Sequence, residues 1–135
     1  MHGIKMDNTI LVGKYLRQFM ITNEELTTLI PACKIFPLLA NPDTTFPFIV
    51  YSRNNLTPIY TKDMLTDNIA NFTIIVVSDD YIESLEIANA VRHSLEGYRY
   101  KDDIINIYPI RLQSITEETM DDAYIQRMNF TLQCN

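Results

Sequence analysis

Glycine is scarce in this 135-residue chain, occurring only at positions 3, 13 and 97. Phosphate-cradling loops need backbone that turns sharply and approaches its ligand closely, and three isolated glycines build neither a GxGxxG nor a GxxxxGK[ST] pattern. Nucleotide binding through such loops is not expected. Histidine is scarcer still: His2 lies at the terminus, and His93 falls on the polar side of a predicted helix, where a solvated side chain is the simpler reading. No serine sits in a G-x-S-x-G elbow and no HExxH occurs. The usual nucleophile and base pairings are absent as motifs, so no catalytic residue, cofactor or metal site is expected and the chain does not read as an enzyme.

Cysteine is limited to Cys33 and Cys134, far apart and without a CxxC or a matching His pair. That is neither a disulfide framework nor a zinc pattern, and both are expected as reduced, buried thiols. Long apolar runs are also missing. Segments such as Phe72 to Val77 fall far short of the roughly 20 residues a membrane helix needs. After Lys5, the apolar Ile10 to Val12 is interrupted by Gly13, Lys14, Arg17 and Gln18, so no signal-peptide core is expected. The reading is a cytosolic chain with no membrane partner. Basic runs are lacking too: the eleven Lys and Arg are scattered, the formal charge is −6 and the pI about 4.7. Such a field repels phosphate backbones, and direct nucleic-acid binding is not expected.

What is present is a globular composition, 47% hydrophobic and 21% charged, long enough to bury a core without staples. One domain over 1–135 is expected. From Asn8 to Met20, Leu11, Val12, Tyr15, Leu16, Phe19 and Met20 recur at helical spacing, and a Thr22…Glu25 capping box opens a second helix that stops at Pro31. Lys34 to Leu38 and Phe46 to Arg53 read as strands around the turn Asn41-Pro42-Asp43, with Pro37 and Pro47 suited to an edge or a strand end. Asn54 to Asn68 has no clear period and reads as a long hairpin arm or a loop, with room for a short strand near Ile59 and Tyr60. Phe72 to Val77, apolar on both alternating faces, is expected to be the central strand, covered on both sides.

Asp80 and Glu83 then open a helix to Glu96 whose stripe is Tyr81, Leu85, Ala88, Val91 and Leu95, closed by Gly97 as a left-handed cap. Strands over Ile104 to Ile115 and Tyr124 to Leu132 follow, joined by the acidic segment Thr116 to Asp122. The fold class expected is α+β: a largely antiparallel sheet of about four to six strands, with an N-terminal helix and one long helix packed on it. Glu117, Glu118, Asp121 and Asp122 form the one charge cluster; they lack DxDxDG calcium spacing, and a solvated loop or contact with a basic partner explains them. The N-x-T sequons at Asn55, Asn71 and Asn129 are read as accidental.

Three segments carry a resemblance. Ile35-Phe36-Pro37-Leu38-Leu39-Ala40, followed by Phe46-Pro47-Phe48-Ile49-Val50-Tyr51, resembles the strand pair of the tail-completion proteins of long-tailed bacteriophages and prophages. Ser78-Asp79-Asp80-Tyr81 through Ala88 and on to Gly97 is similar to that family's long helix. Ile115-Thr116-Glu117-Glu118-Thr119 with Tyr124 to Phe130 resembles its closing hairpin. The polar segment Asn54 to Asn68 and the extension Met120-Asp121-Asp122 depart from the family pattern.

The resemblance implies a virion structural subunit at the head-proximal end of the tail, which stops tube growth and joins the tail to the head connector. It implies partners in a tail tube protein, a head-connector protein and copies of itself in a ring, commonly a hexamer. Assembly would take place in the host bacterial cytoplasm, and the final location would be the head–tail junction. Two polar features suit such contacts: the arm with Arg53 and Lys62, and the acidic Glu117, Glu118, Asp121 and Asp122. The alternative is a small cytosolic adaptor that binds a peptide at a sheet edge, for which a groove lined by Phe46, Phe48 and Tyr51 would speak. An enzyme would instead need a buried pocket with converging carboxylates.

Overall fold

A computed structural model of the chain describes residues 6–60 and 66–135. The order is α1 (Val12–Ile21), α2 (Glu24–Leu29), β1 (Ile35–Pro37), β2 (Phe48–Tyr60), β3 (Thr66–Ser78), α3 (Tyr81–Leu95), β4 (Tyr100–Lys101), β5 (Asn106–Ile107), β6 (Arg111–Met120) and β7 (Ala123–Cys134). This is a mixed α/β architecture with few helices. One sheet runs β1-β2-β3-β7-β5-β4, and β6 lies beside β7 on the flank where β5 pairs only at Cys134. Seven strands among the described residues exceed the expected four to six, because the expected strand Ile104 to Ile115 divides into β5 and the start of β6 and the unexpected two-residue β4 pairs with β5.

The long antiparallel pairings behave as the alternation predicts. β3 sits between β2 and β7, which confirms Phe72 to Val77 as central, and Asn54 to Asn68 is for the most part the arm of the β2–β3 hairpin. Its register slips between Arg53 and Asn55. One pairing departs from the largely antiparallel pattern, and one expectation fails here. β1 and β2 pair in parallel, Ile35 opposite Ile49, because the chain between them is long enough to run back instead of turning tightly. The acidic segment Thr116 to Asp122 is not a loop: β6 continues to Met120, and only Asp121 and Asp122 make the turn, Asp121 with φ of 53°.

All three helices pack together, and α3 lies on β3 and β7. Apolar residues at 12, 15, 16, 19 and 20 of α1 are buried as their spacing predicts, whereas Leu11 is exposed. They meet Phe72, Ile74 and Val76 of β3 and Met128, Phe130 and Leu132 of β7 in one core. The stripe of α3 is rotated from the expected one. Ser84, Ile87, Ala88, Val91, Ser94 and Leu95 are buried, while Tyr81 and Leu85 are 39% and 38% exposed. The serines pass as small core residues because each hydroxyl donates within the helix, Ser84 Oγ to the Tyr81 carbonyl at 2.6 Å and Ser94 Oγ to that of Val91 at 2.7 Å.

The caps also differ in detail. Asn23, not Thr22, caps α2, its Oδ1 accepting from Leu26 N at 3.0 Å, while Thr22 Oγ1 donates back to the Gln18 carbonyl of α1. Asp80 caps α3 as expected, but Glu83 accepts from Ser78 Oγ at 2.6 Å. Gly97 takes the left-handed conformation with φ of 79°.

Candidate protein-docking site

Strand alternation gives the sheet two faces, and only one is covered by helices. On the other face the side chains sort into two zones. Across its middle runs an uncharged ladder over four strands: Asn54 Nδ2 donates to Thr73 Oγ1 at 2.8 Å, Thr73 Oγ1 to Asn129 Oδ1 at 2.9 Å, and Asn129 Nδ2 to Ser114 Oγ at 3.0 Å. Asn71 Nδ2 adds a parallel rung to Asn55 Oδ1 at 2.8 Å. These asparagines, including those of the accidental sequons, find partners in Thr73, Ser114 and one another and leave the middle of the face polar without charge.

Toward the β6–β7 turn the same face becomes apolar. Phe48 and Val50 of β2, Ile75 and Val77 of β3, and Ala123 and Ile125 of β7 form the floor of an open groove of about 680 Å³. Val77, Ala123 and Ile125 make a small buried cluster with Phe48 and Ile75 against it. The walls are the β1–β2 connection on one side, where Leu38 and Leu39 are 74% and 78% exposed, and Met120, Asp121 and Asp122 on the other. Phe46 stacks on Phe48 with ring centroids 6.0 Å apart, which fixes the wall to the floor. A run of exposed large apolar side chains around a preformed groove is the surface signature of a protein contact.

This groove corrects the expectation that β3 is covered on both sides: Ile75 is only half-buried, and among the described residues no second layer lies over it. The double-sided apolarity of Phe72 to Val77 was nevertheless the signal that a second surface exists. Phe46 and Phe48 line the groove, but Tyr51 does not, because its parity turns it into the helix-side core.

The expected site residues separate. Glu117 is held within the chain: its Oε2 accepts from Tyr81 Oη and from Gln126 Nε2, both at 2.8 Å, and Gln126 Nε2 also donates to Ser84 Oγ at 3.3 Å. Donors on Gln126 first and Tyr81 second hold the Glu117 carboxyl below the ordinary carboxylate value, and the same bond raises the Tyr81 phenol. Glu118 pairs with Arg127, at 2.6 Å from Nη2 and 2.9 Å from Nε. Asp121 and Asp122 are exposed at the turn and make no ion pair among the described residues. Since Arg127 is balanced by Glu118, the rim of the groove carries the uncompensated charge of these two aspartates.

Arg53 lies on the opposite, helix-covered side, its Nη1 donating to the Ile10 carbonyl at 3.2 Å. Lys62 lies outside the described residues. His93 is exposed as expected and meets Glu25, with Nδ1 2.9 Å from Oε1. Cys134 is buried, but Cys33 is exposed, since it sits in a short helical turn after Pro31 that the core does not enclose. Among the described residues no three His, Cys, Asp or Glu side chains converge as a metal ion requires, and no helix is long and apolar enough to cross a membrane.

Comparison with known proteins gives one family. The family described as Tail completion protein gp17 matches residues 14–133. No curated protein matches the chain. Among solved structures, a chain from the virion of a native gene transfer agent particle superposes with a TM-score of 0.76 at 13% identity, over 88% of this chain and 90% of that one. A second, whose name states no function, superposes with a TM-score of 0.58 at 11% identity, over 91% of this chain and 95% of that one. At these identities the likeness is one of fold.

Proposed function

Because the chain belongs to the tail completion protein gp17 family, we propose that it caps the tail tube of a phage-like particle and joins it to the head connector as a ring of identical subunits. A structural role in a phage tail follows from the family itself; capping, joining and the ring are the proposal. The observation that carries it is the extent of the match, residues 14–133, which takes in the helices, the sheet and the closing hairpin together. The gene transfer agent virion in which a chain of this fold is found supports a particle-bound location. Virion structural proteins of this kind are typically not enzymes, and the open groove, with its carboxylates at an exposed rim, is built for packing and not for chemistry.

Partners in this reading are the tail tube protein, the head-connector protein and further copies of the chain. Arg53, Lys62, Glu117, Glu118, Asp121 and Asp122 are proposed as contact residues, with Asp121 and Asp122 the pair whose charge is free to meet a partner. The adaptor alternative has the Phe46–Phe48 stack in its favour. Against it, the open part of β2 carries a register slip at Asn54 and the donor-less Pro58, two devices that discourage an added strand.

Electron microscopy of particles made with the gene deleted tests the function. Tails of uncontrolled length, or tails without heads, are expected. Normal, joined particles would overturn it.

A further inference from the structure

The groove is one of several exposed apolar surfaces among the described residues, and one of the others complements it in charge. Where the helix layer begins, Ile10 is 65% exposed and Leu11 41% exposed, and Lys14 stands one turn along the same side. Arg53 reaches this spot from β2 through its bond to the Ile10 carbonyl. Lys14 and Arg53 make no ion pair with any carboxylate among the described residues. This patch is therefore apolar with two positive charges that no carboxylate meets among the described residues, Lys14 lying over the Tyr15 ring with Nζ 5.9 Å from its centroid. The groove is apolar with two uncompensated negative charges, at Asp121 and Asp122.

The two surfaces cannot satisfy each other within one chain. Arg53 pairs with Phe72, whose ring is in the helix-side core, so the patch belongs to the covered side of the sheet. Val50 and Ile75 pair with their side chains on the opposite face, and the groove belongs there. A positive apolar patch on one side and a negative apolar groove on the other is the condition for head-to-tail association of identical chains, in which each contact uses two different surfaces.

We infer that the groove is filled by a second copy of this chain, with Ile10 and Leu11 against Leu38, Leu39 and Phe46, and Lys14 and Arg53 facing Asp121 and Asp122. The inference rests on the ring reading and names its repeating contact. The contact is heterologous, so a chain damaged on one surface still offers the other.

Cross-linking of purified, full-length protein tests it. In a Cys33→Ser background, which removes the exposed native thiol, one variant carries Ile10→Cys and another Leu39→Cys. Both positions are exposed, and circular dichroism and thermal melting confirm that each variant keeps the fold. With a short bismaleimide at high protein concentration, the mixture is expected to yield covalent dimer several-fold above either variant alone. Asp122→Arg in the Leu39→Cys chain is expected to remove most of that excess. A mixture that cross-links no better than its components overturns the inference, whether the groove takes another tail protein or nothing. Equal cross-linking within each variant also overturns it, since that requires a symmetric face-to-face contact. The assay uses no particles, so its failure leaves the deletion phenotype untouched, and a normal deletion phenotype leaves the cross-link to be explained.

Discussion

Cys134 ends β7 with no exposed surface, and burial, aided by the nearby Asp7 and Asp67 carboxylates, pushes its thiol up to about 12 from an ordinary 9.0. The thiolate is the reactive form, so at neutral pH this side chain is chemically silent while Cys33 is open to reagent. Titration of the folded protein with a thiol-reactive dye is expected to count one group promptly and the second only after denaturation; two equally fast groups would contradict the burial of Cys134. Glu117 gives the complementary acid-side case. Its two donors favour the carboxylate, so its folded value lies below the 4.5 of the unfolded chain. In that window the unfolded state binds more protons than the folded one, and the contribution is present above 4.5 and lost as pH falls through the folded value. Thermal melts across acid pH are expected to show a shallower loss for Glu117→Gln than for the wild type. Identical acid profiles would remove Glu117 from the hydrogen-bonded group that ties α3 to the sheet.

At the scale of elements, α3 shows how much the sequence could say and where it stopped. The cap at Asp80, the helix and the glycine stop were legible because each has its own local chemistry. The rotation of the buried stripe was not, since counting apolar residues promotes Tyr81 and Leu85 over Ser84 and Ser94. The serines are buried because their hydroxyls find the helix's own carbonyls, a satisfaction that hydropathy does not register. The consequence is measurable. Ile87→Ala is expected to cost about 2 to 5 kcal/mol by leaving a cavity in the core, and Leu85→Ala about 1 kcal/mol or less. Chemical denaturation that ranked the two the other way would restore the unrotated stripe. The parallel β1–β2 pairing escaped the sequence for a related reason: turn chemistry at Asn41 and Pro42 marks where the chain bends, not how far it travels before pairing. The groove was half legible, its floor in the double-sided apolarity of β3, its walls hidden because they meet only in the folded sheet.

For the whole molecule, the decisive arrangement is a sheet with helices on one face and an open face that changes from an uncharged ladder to an apolar groove. The family gives the chain a structural role in a phage tail, where a subunit must hold neighbours without sticking to everything else. Charge at the rim of an apolar contact serves that purpose, because it guides encounter and register while adding little affinity of its own. The four acids of the closing hairpin do not share the task equally. Reversing Glu117 would break its bonds to Tyr81 and Gln126, and reversing Glu118 would unpair Arg127, so a defect in either variant would confuse folding with docking. Asp121 and Asp122 have no such internal duty among the described ion pairs. Asparagine also tolerates the left-handed backbone that Asp121 adopts, so Asp121→Asn with Asp122→Asn removes the charge and keeps the turn. This double variant is expected to melt at the wild-type temperature and to produce tails that join heads poorly, with the gap to the wild type narrowing as salt rises and screens the attraction that the wild type alone retains. Electron microscopy of its particles, read against its melting curve, separates the two roles: normal joined particles would show that the acidic rim takes no part in docking, and a lowered melting temperature would show that the turn's charge serves the fold.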